Sequence, residues 1–140
     1  MSYYYIEPEV AGGHGDKSVL DTRPHPPIVY RLEYTFAGWM GDALLETFPC
    51  YICTDAVANA IIRHHFTGTE IADVEITFSP EYFGRYDKDT FPHFHWLKIV
   101  GAAGADDFGI GSDLRLVVSE KALSVLRSLG IEHAEVEPVK

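Results

Sequence analysis

Two stretches of the sequence decide the fold: Tyr51-Ile-Cys-Thr-Asp-Ala-Val-Ala-Asn-Ala-Ile-Ile-Arg63 and Leu116-Val-Val-Ser-Glu-Lys-Ala-Leu-Ser-Val-Leu-Arg127. Each begins with a short apolar run typical of a strand and continues with apolar residues at helical spacing. Thr54 and Ser119 stand where a side-chain oxygen can accept a hydrogen bond from a free N–H of the first helical turn, and an acid follows each of them. Each stretch therefore predicts a strand that leads directly into a helix.

A further strand is predicted after each helix, so that residues 50–76 and 114–138 form an internal near-repeat. Ala72-Asp-Val-Glu75 matches Ala134-Glu-Val-Glu137, which reduces the offset between the two copies from 65 to 62 residues. Two copies are too few for a solenoid. An ancient duplication and the recurrence of a common unit both explain the pattern.

The two predicted helices have expected ends and expected buried faces. Gly68 and Gly130 should end them, because glycine adopts the left-handed C-cap conformation without strain. The apolar spacing, which is similar in both copies, predicts four buried helical side chains. They are Val57, Ile61, Leu123 and Leu126.

Alternating apolar residues predict further strands around the repeat. Residues 28–36 and 94–100 show this alternation, and the short aromatic-rich run 3–7 is also expected to be a strand. The glycine-rich segment 11–15 is expected to be a loop, and segment 79–90 a loop or a short helix.

These elements predict one α+β domain over residues 1–140, a length that fits a single domain. The sheet is expected to be mixed and mainly antiparallel. Two strand–helix–strand units should pack their helices on one face of it, because both units must cover apolar surface.

The charge balance limits the class of partner. The chain has 11 basic and 21 acidic residues and a net charge of −10 at pH 7. Such a surface repels phosphate backbones and anionic membranes, so we expect neither nucleic acid nor membrane as partner and favour a basic protein.

The two cysteines are too few for a disulfide framework, and the opening residues do not resemble a signal peptide. The expected compartment is the cytoplasm.

Two motifs suggest chemistry. Cys50 and Cys53 match the C-x-x-C redox pattern, but strand positions three apart point to opposite faces, so both are expected to be half-buried strand residues that act as small hydrophobic side chains. His93 and His95 are two apart on a predicted strand and share a face, as two metal ligands would. Carboxylates could come from an acidic set that approaches them after folding: Asp87, Asp89, Asp106 and Asp107. The alternative function is therefore a small metal-dependent or acid–base enzyme.

The framework as a whole resembles the small bacterial immunity proteins of polymorphic toxin systems. The resemblance rests on Gly41-Asp-Ala-Leu-Leu-Glu46, on Cys50-Tyr-Ile-Cys-Thr-Asp-Ala-Val57, on Leu116-Val-Val-Ser-Glu-Lys-Ala-Leu-Ser-Val-Leu126 and on the tail Ile131-Glu-His-Ala-Glu-Val-Glu-Pro-Val139. It implies a protein that binds a cognate toxin and occludes its active site. It also implies no catalytic residue and no cofactor, so we expect no enzyme.

The partner-binding surface is expected in segments 81–89 and 106–113, where tyrosines and acids are interleaved. Loops usually carry recognition, because they can be shaped without disturbing the core. A basic toxin would be attracted by the acids and held by a tyrosine. The candidate residues are Glu81, Tyr82, Tyr86, Asp87, Asp89, Asp106, Asp107 and Asp113.

Overall fold

Strands form most of the regular structure in the computed structural model, which describes residues 2–84 and 87–140. The helices are Asp55–His64 (α1), Glu120–Leu129 (α2) and a 3-10 helix, Lys88–Thr90. The strands are Tyr3–Glu7 (β1), Gly12–His14 (β2), Val19–Asp21 (β3), Ile28–Arg31 (β4), Glu33–Trp39 (β5), Leu44–Thr47 (β6), Cys50–Thr54 (β7), Thr69–Ala72 (β8), Glu75–Gly84 (β9), Phe94–Ile99 (β10), Phe108–Ile110 (β11), Leu116–Ser119 (β12) and Glu135–Pro138 (β13). Neither ten-residue α-helix of the described chain has the length and apolar composition needed to cross a membrane.

The strands form four sheets. The central sheet has the order β6-β7-β10-β8, the open sheet β11-β12-β1-β13, the covering sheet β2-β5-β9, and a two-stranded ribbon joins β3 to β4. Among these strands only β5 and β9 pair in parallel. The predicted α+β class with mainly antiparallel pairing is confirmed.

The near-repeat exists as two copies of one fold. Unit 1 consists of β6, β7, α1 and β8, with β10 inserted between β7 and β8; unit 2 consists of β11, β12, α2 and β13, with β1 inserted between β12 and β13. The registers agree as well. Leu97 lies opposite Tyr51 and Ile71, as Ile6 lies opposite Leu116 and Val136.

The predicted change of offset after the helices is wrong, because Ile71 corresponds to Val136 and the offset remains 65. The prediction that Gly68 ends α1 is wrong for the same reason. His65, which is 65 residues before Gly130, is the C-cap, with a left-handed φ of 56°, and its N–H bonds to the last turn. Gly68 serves a close approach instead, since a Cβ there would lie 2.0 Å from the Phe108 carbonyl oxygen.

The first core lies where the central sheet, the open sheet and both helices meet. Val57, Ile61, Leu123 and Leu126 are all buried in it, as predicted. The prediction placed both helices on one sheet. In the structure α1 packs on β7 and β10, whereas α2 packs on β12 and β1, and the helices contact each other. The reason is that each unit closes its own sheet around its own inserted strand.

The second core is aromatic and lies between the other face of the central sheet and the covering sheet. Its main side chains are Tyr34, Phe36, Trp39, Phe78, Tyr82, Phe91, Phe94 and Trp96. The central sheet is therefore buried on both faces, and residues 50–53 read as a continuous apolar run. Cys50 faces the second core and Cys53 the first, as predicted, and burial raises the pKa of both thiols to about 12. Both cysteines act as buried apolar side chains.

The two segments expected to be irregular each contain a strand, and the short helix expected as the alternative in segment 79–90 is confirmed as the 3-10 helix Lys88–Thr90. Segment 11–15 contains β2, where glycine allows close pairing, because a Cβ on Gly12 would lie 1.9 Å from the Thr35 carbonyl oxygen. The strand β9 continues to Gly84 because it pairs with β5 along both of its halves. The pairing shifts in register between Phe36 and Gly38 and then resumes, with Trp39 opposite Gly84.

Candidate functional site

A cluster of one carboxylate and two imidazoles lies where α1 meets the start of β10. Asp55 is the first residue of α1, and His93 and His95 flank Phe94, the first residue of β10. The register places Phe94 opposite Thr54, so the start of the helix lies beside the start of the strand. The Asp55 N–H donates to the His93 carbonyl at 3.3 Å, which joins the two backbones.

Both imidazoles point at the same carboxylate oxygen. Asp55 Oδ1 is 2.9 Å from Nδ1 of His93 and is also hydrogen-bonded to Nε2 of His95. The two rings have centroids 4.5 Å apart at 76°. The hydrogen bond from His93, and then that from His95, hold the pKa of the Asp55 carboxyl below its usual value. The acid is therefore a carboxylate at neutral pH.

The cluster opens to solvent unequally. The side chains of His93 and Asp55 are 69% and 55% exposed, whereas that of His95 is 23% exposed. One ligand atom from each residue lies within 4.8 Å of the others. The structure thus brings His93 and His95 together, as predicted. Their carboxylate partner is Asp55 rather than Asp87, Asp89, Asp106 or Asp107.

A second feature is the outer face of the open sheet. In β1 and β13, Ile6 and Val136 point to the first core, so Tyr5, Glu7 and Glu137 point to solvent. The loop 102–105 covers the β11 end of this face, since a Cβ on Gly109 would lie 2.3 Å from the Ala103 nitrogen. The outer face is open at the β13 end of the sheet. We call this open part the acidic face, and it comprises Tyr5, Glu7, Asp113, Arg115, Glu135 and Glu137.

Two glutamates of the acidic face are directly opposed. Glu7 on β1 lies opposite Glu135 on β13, and both are exposed. Cross-strand partners of this kind have Cβ atoms about 4.5–5.5 Å apart, and like charges there are destabilising. Within the described part of the chain, neither glutamate forms an ion pair. The charge of Glu7 also contributes, after burial, to raising the pKa of Glu46.

The one basic group of the acidic face is bound to its acids. The Arg115 guanidinium lies over the Tyr5 ring, 3.5 Å from its centroid. Its Nε is 2.7 Å from Asp113 and its Nη1 is 3.6 Å from Glu137. Arg115 therefore fixes the tyrosine and two of the acids and leaves Glu7 and Glu135 with their charge uncompensated.

The predicted segment 81–89 belongs to the other side of the central sheet. Glu81 is exposed on β9, while Tyr82 lies edge-on to Phe78 at 5.0 Å in the aromatic core, so the part of this segment up to Gly84 is a strand. Asp87 and Asp89 are exposed at the 3-10 helix. Tyr86 lies outside the described residues.

In the predicted segment 106–113, two acids accept hydrogen bonds from backbone N–H groups. Asp107 accepts hydrogen bonds from the Thr67 N–H at 3.0 Å and from Ser119 Oγ at 2.7 Å. Asp106 accepts one from the Ala102 N–H at 2.7 Å. Of the three acids in this segment, only Asp113 belongs to the acidic face. The described residues of segment 81–89 and segment 106–113 belong to different sheets and do not form one surface.

A second group of acids with a histidine joins the two units. Asp42, which is buried, accepts hydrogen bonds from the His133 N–H at 2.8 Å and is 2.9 Å from its Nδ1. Glu9 accepts from the N–H groups of Met40 and Asp42. The hydrogen bond to Asp42 raises the pKa of His133. These carboxylates already serve backbone donors, so their role is structural.

Sequence reasoning missed Asp55 as a partner of the histidines and missed Glu7, Glu135 and Glu137 as a surface. A signal for the first was present, because Asp55 follows the strand that His95 must join if β7 and β10 pair. No family model, curated protein or solved structure matches this chain.

Proposed function

We propose that this protein is an immunity protein that binds a basic bacterial toxin through the acidic face and neutralises it by covering its active site. The observation that supports this proposal is the opposed pair Glu7 and Glu135. The proposal rests on this surface and on the likeness of the sequence framework to immunity proteins.

The opposed glutamates have a folding cost of roughly 0.2–1 kcal/mol, the range of cross-strand pair energies. A sequence that violates a local rule of stability does so most often at a functional site. A lysine or arginine placed between the two carboxylates would turn the repulsion into attraction. The pair therefore favours binding at the expense of folding, which suits a surface selected for a basic partner.

The rest of the acidic face fits the same partner. Tyr5 is held flat by Arg115, so little side-chain entropy is lost when a partner contacts it. The strand β13 is an edge strand of the open sheet, and its outer backbone groups can bind a partner strand. The net charge of −10 speeds the approach of a basic protein.

The test uses a growth-arresting polypeptide selected from those encoded next to the gene for this chain. Co-expression should restore the growth that the toxin stops, and stopped-flow mixing should show association that slows with salt. The double variant Glu7→Lys/Glu135→Lys should slow association roughly tenfold or more at low salt, because steering contributes factors of 10 or more to such rates.

The matched control is Glu81→Lys/Asp89→Lys, which makes the same charge change across the central sheet, where both acids are exposed. Association that slows equally in both variants overturns the acidic face as the interface. Association that slows in the control variant alone would overturn the acidic face and place the interface at segment 81–89. Absence of binding and of growth rescue by the unchanged chain overturns the immunity function itself.

A further inference from the structure

We infer that Asp55, His93 and His95 bind one divalent transition-metal ion of the Zn²⁺ type. This inference is independent of toxin binding, because the three residues lie on unit 1 and the acidic face lies on unit 2.

The donor set selects the class of ion. Two imidazole nitrogens and one carboxylate oxygen suit Zn²⁺ and its neighbours Co²⁺, Ni²⁺ and Cu²⁺, whereas Mg²⁺ and Ca²⁺ prefer sites built from oxygen. Ligand atoms of a tetrahedral Zn²⁺ are about 3.3 Å apart, since its bonds are about 2.0–2.1 Å long. His93 Nδ1 and Asp55 Oδ1 are 2.9 Å apart, so they need to separate by only a few tenths of an ångström.

The ligands are held in place before an ion binds. His95 is inside β10 and Asp55 begins α1, so two of the ligands stand on regular elements, which position side chains better than loops do. The side chain of Phe94, between the two histidines, is 1% exposed and anchors the strand in the aromatic core. Binding therefore requires little ordering.

Unit 2 shows that the cluster is not a by-product of the fold. Its registers place Ser2, Tyr4 and Glu120 at the positions of His93, His95 and Asp55. The Glu120 N–H even donates to the Ser2 carbonyl at 3.0 Å, as the Asp55 N–H does to that of His93. The same backbone thus carries a ligand set in one unit and a different set in the other.

Three protein ligands leave a fourth coordination position, and the exposure of His93 directs it to solvent. Sites that have three protein ligands and a bound water are typical of catalytic zinc rather than structural zinc. We therefore expect a Zn²⁺ ion that carries one water molecule in the free protein.

The test is titration of the metal-free purified chain with ZnCl₂ at pH 7.5 in competition with a chromogenic chelator, repeated with CoCl₂ and visible spectroscopy. The unchanged chain should bind one equivalent. Asp55→Asn and His95→Gln should each lower the affinity by more than the roughly 10–100-fold lost when a supporting hydrogen bond is removed. His93→Gln should do the same.

The controls are Glu120→Gln, at the matching position of α2, and His64→Gln, an exposed histidine at the end of α1. Both should retain the affinity. A chain that binds less than one equivalent, or controls that lose as much as the ligand variants, overturns the site. Circular dichroism checks that each variant is folded. If His95→Gln unfolds, Zn²⁺-induced shifts of the imidazole resonances of His93 and His95 in the unchanged chain decide the matter, and absent shifts overturn the site.

Discussion

Strands β7 and β12 occupy equivalent positions in units 1 and 2, yet different structures lie against their outer faces. Cys50 and Ile52 of β7 pack into the aromatic core under the covering sheet. Beside β12, the neighbouring strand β1 presents Tyr5 and Glu7 to solvent. The same local geometry is thus a buried layer in one unit and a surface in the other. In the described chain the exposed acids of unit 2 lie on its sheet, whereas the exposed histidine–aspartate cluster of unit 1 lies at the rim where α1 begins.

The two helix starts differ in a related way. Ser119 Oγ accepts a hydrogen bond from the Ala122 N–H at 3.2 Å and donates one to Asp107 at 2.7 Å. Thr54 makes no such cap, and its buried hydroxyl oxygen has no hydrogen-bond partner among the described residues. Ala43 stands in unit 1 where unit 2 has Asp107, because Thr54 and Ser119 donate their N–H groups to these two carbonyls. Unit 2 is therefore capped for stability, whereas unit 1 places its ligand cluster at the same point.

The largest effect should come from the shared core. Leu126→Ala and Ile61→Ala should each lower the free energy of unfolding by about 2–5 kcal/mol, because both side chains are buried in the first core and each change leaves a cavity. Urea denaturation measures this. Ile62→Ala, at a side chain that is 65% exposed, is the control and should change little. A loss confined to one helix would show that the units contribute unequally to the core.

A smaller effect should separate the helix starts. Ser119→Ala should cost about 0.5–2 kcal/mol, the usual range for loss of an N-cap. Thr54→Val should stay within about 0.5 kcal/mol of the unchanged chain, because it removes a hydroxyl that bonds to nothing in the described chain. Equal losses in thermal unfolding would mean that Thr54 caps α1 in solution.

The smallest effect concerns two of the polar contacts between the units, Asp42 with His133 and Asp107 with Thr67. The pKa of His133 is raised in the folded chain, so its contribution to stability is complete below the unfolded value of about 6.5 and is lost as the pH rises through the folded value. Denaturant midpoints between pH 5 and pH 9 should show this decline. His133→Gln should flatten the decline, and Thr67→Val should leave it unchanged. A slope that persists in His133→Gln contradicts the assignment.

The local pattern was enough to predict the strand–helix junctions, the buried helical faces and the opposite orientation of the two cysteines. Each of these depends on periodicity within a dozen residues, as in 51–63 and 116–127. The offset of 62 failed because apparent identities such as Val74 with Val136 outweighed the register, which only the pairing with β10 and β1 defines.

The candidate site was predicted only in part, because it depends on contacts between distant residues. Asp55 and His95 are 40 residues apart and meet only because β10 pairs with β7. Glu7 and Glu135 come from opposite ends of the chain. The partial burial of Tyr82 also depends on packing, since its ring contacts Phe78 and Phe91, whereas its sequence neighbours Glu81 and Phe83 are exposed.

The place of β1 in unit 2 determines the order in which the chain can assemble. All strands of unit 1 lie between residues 44 and 99. In unit 2, β1 pairs with β12 and β13, which lie more than 100 residues later in the sequence. The Val139 N–H donates to the Tyr3 carbonyl at 2.9 Å. During synthesis unit 1 can close first, while β1 stays unpaired until β12 emerges. Joining the two ends and opening the chain at Gly104, where there is free space, would make each unit continuous. The fold would then depend on fewer distant contacts and should form faster.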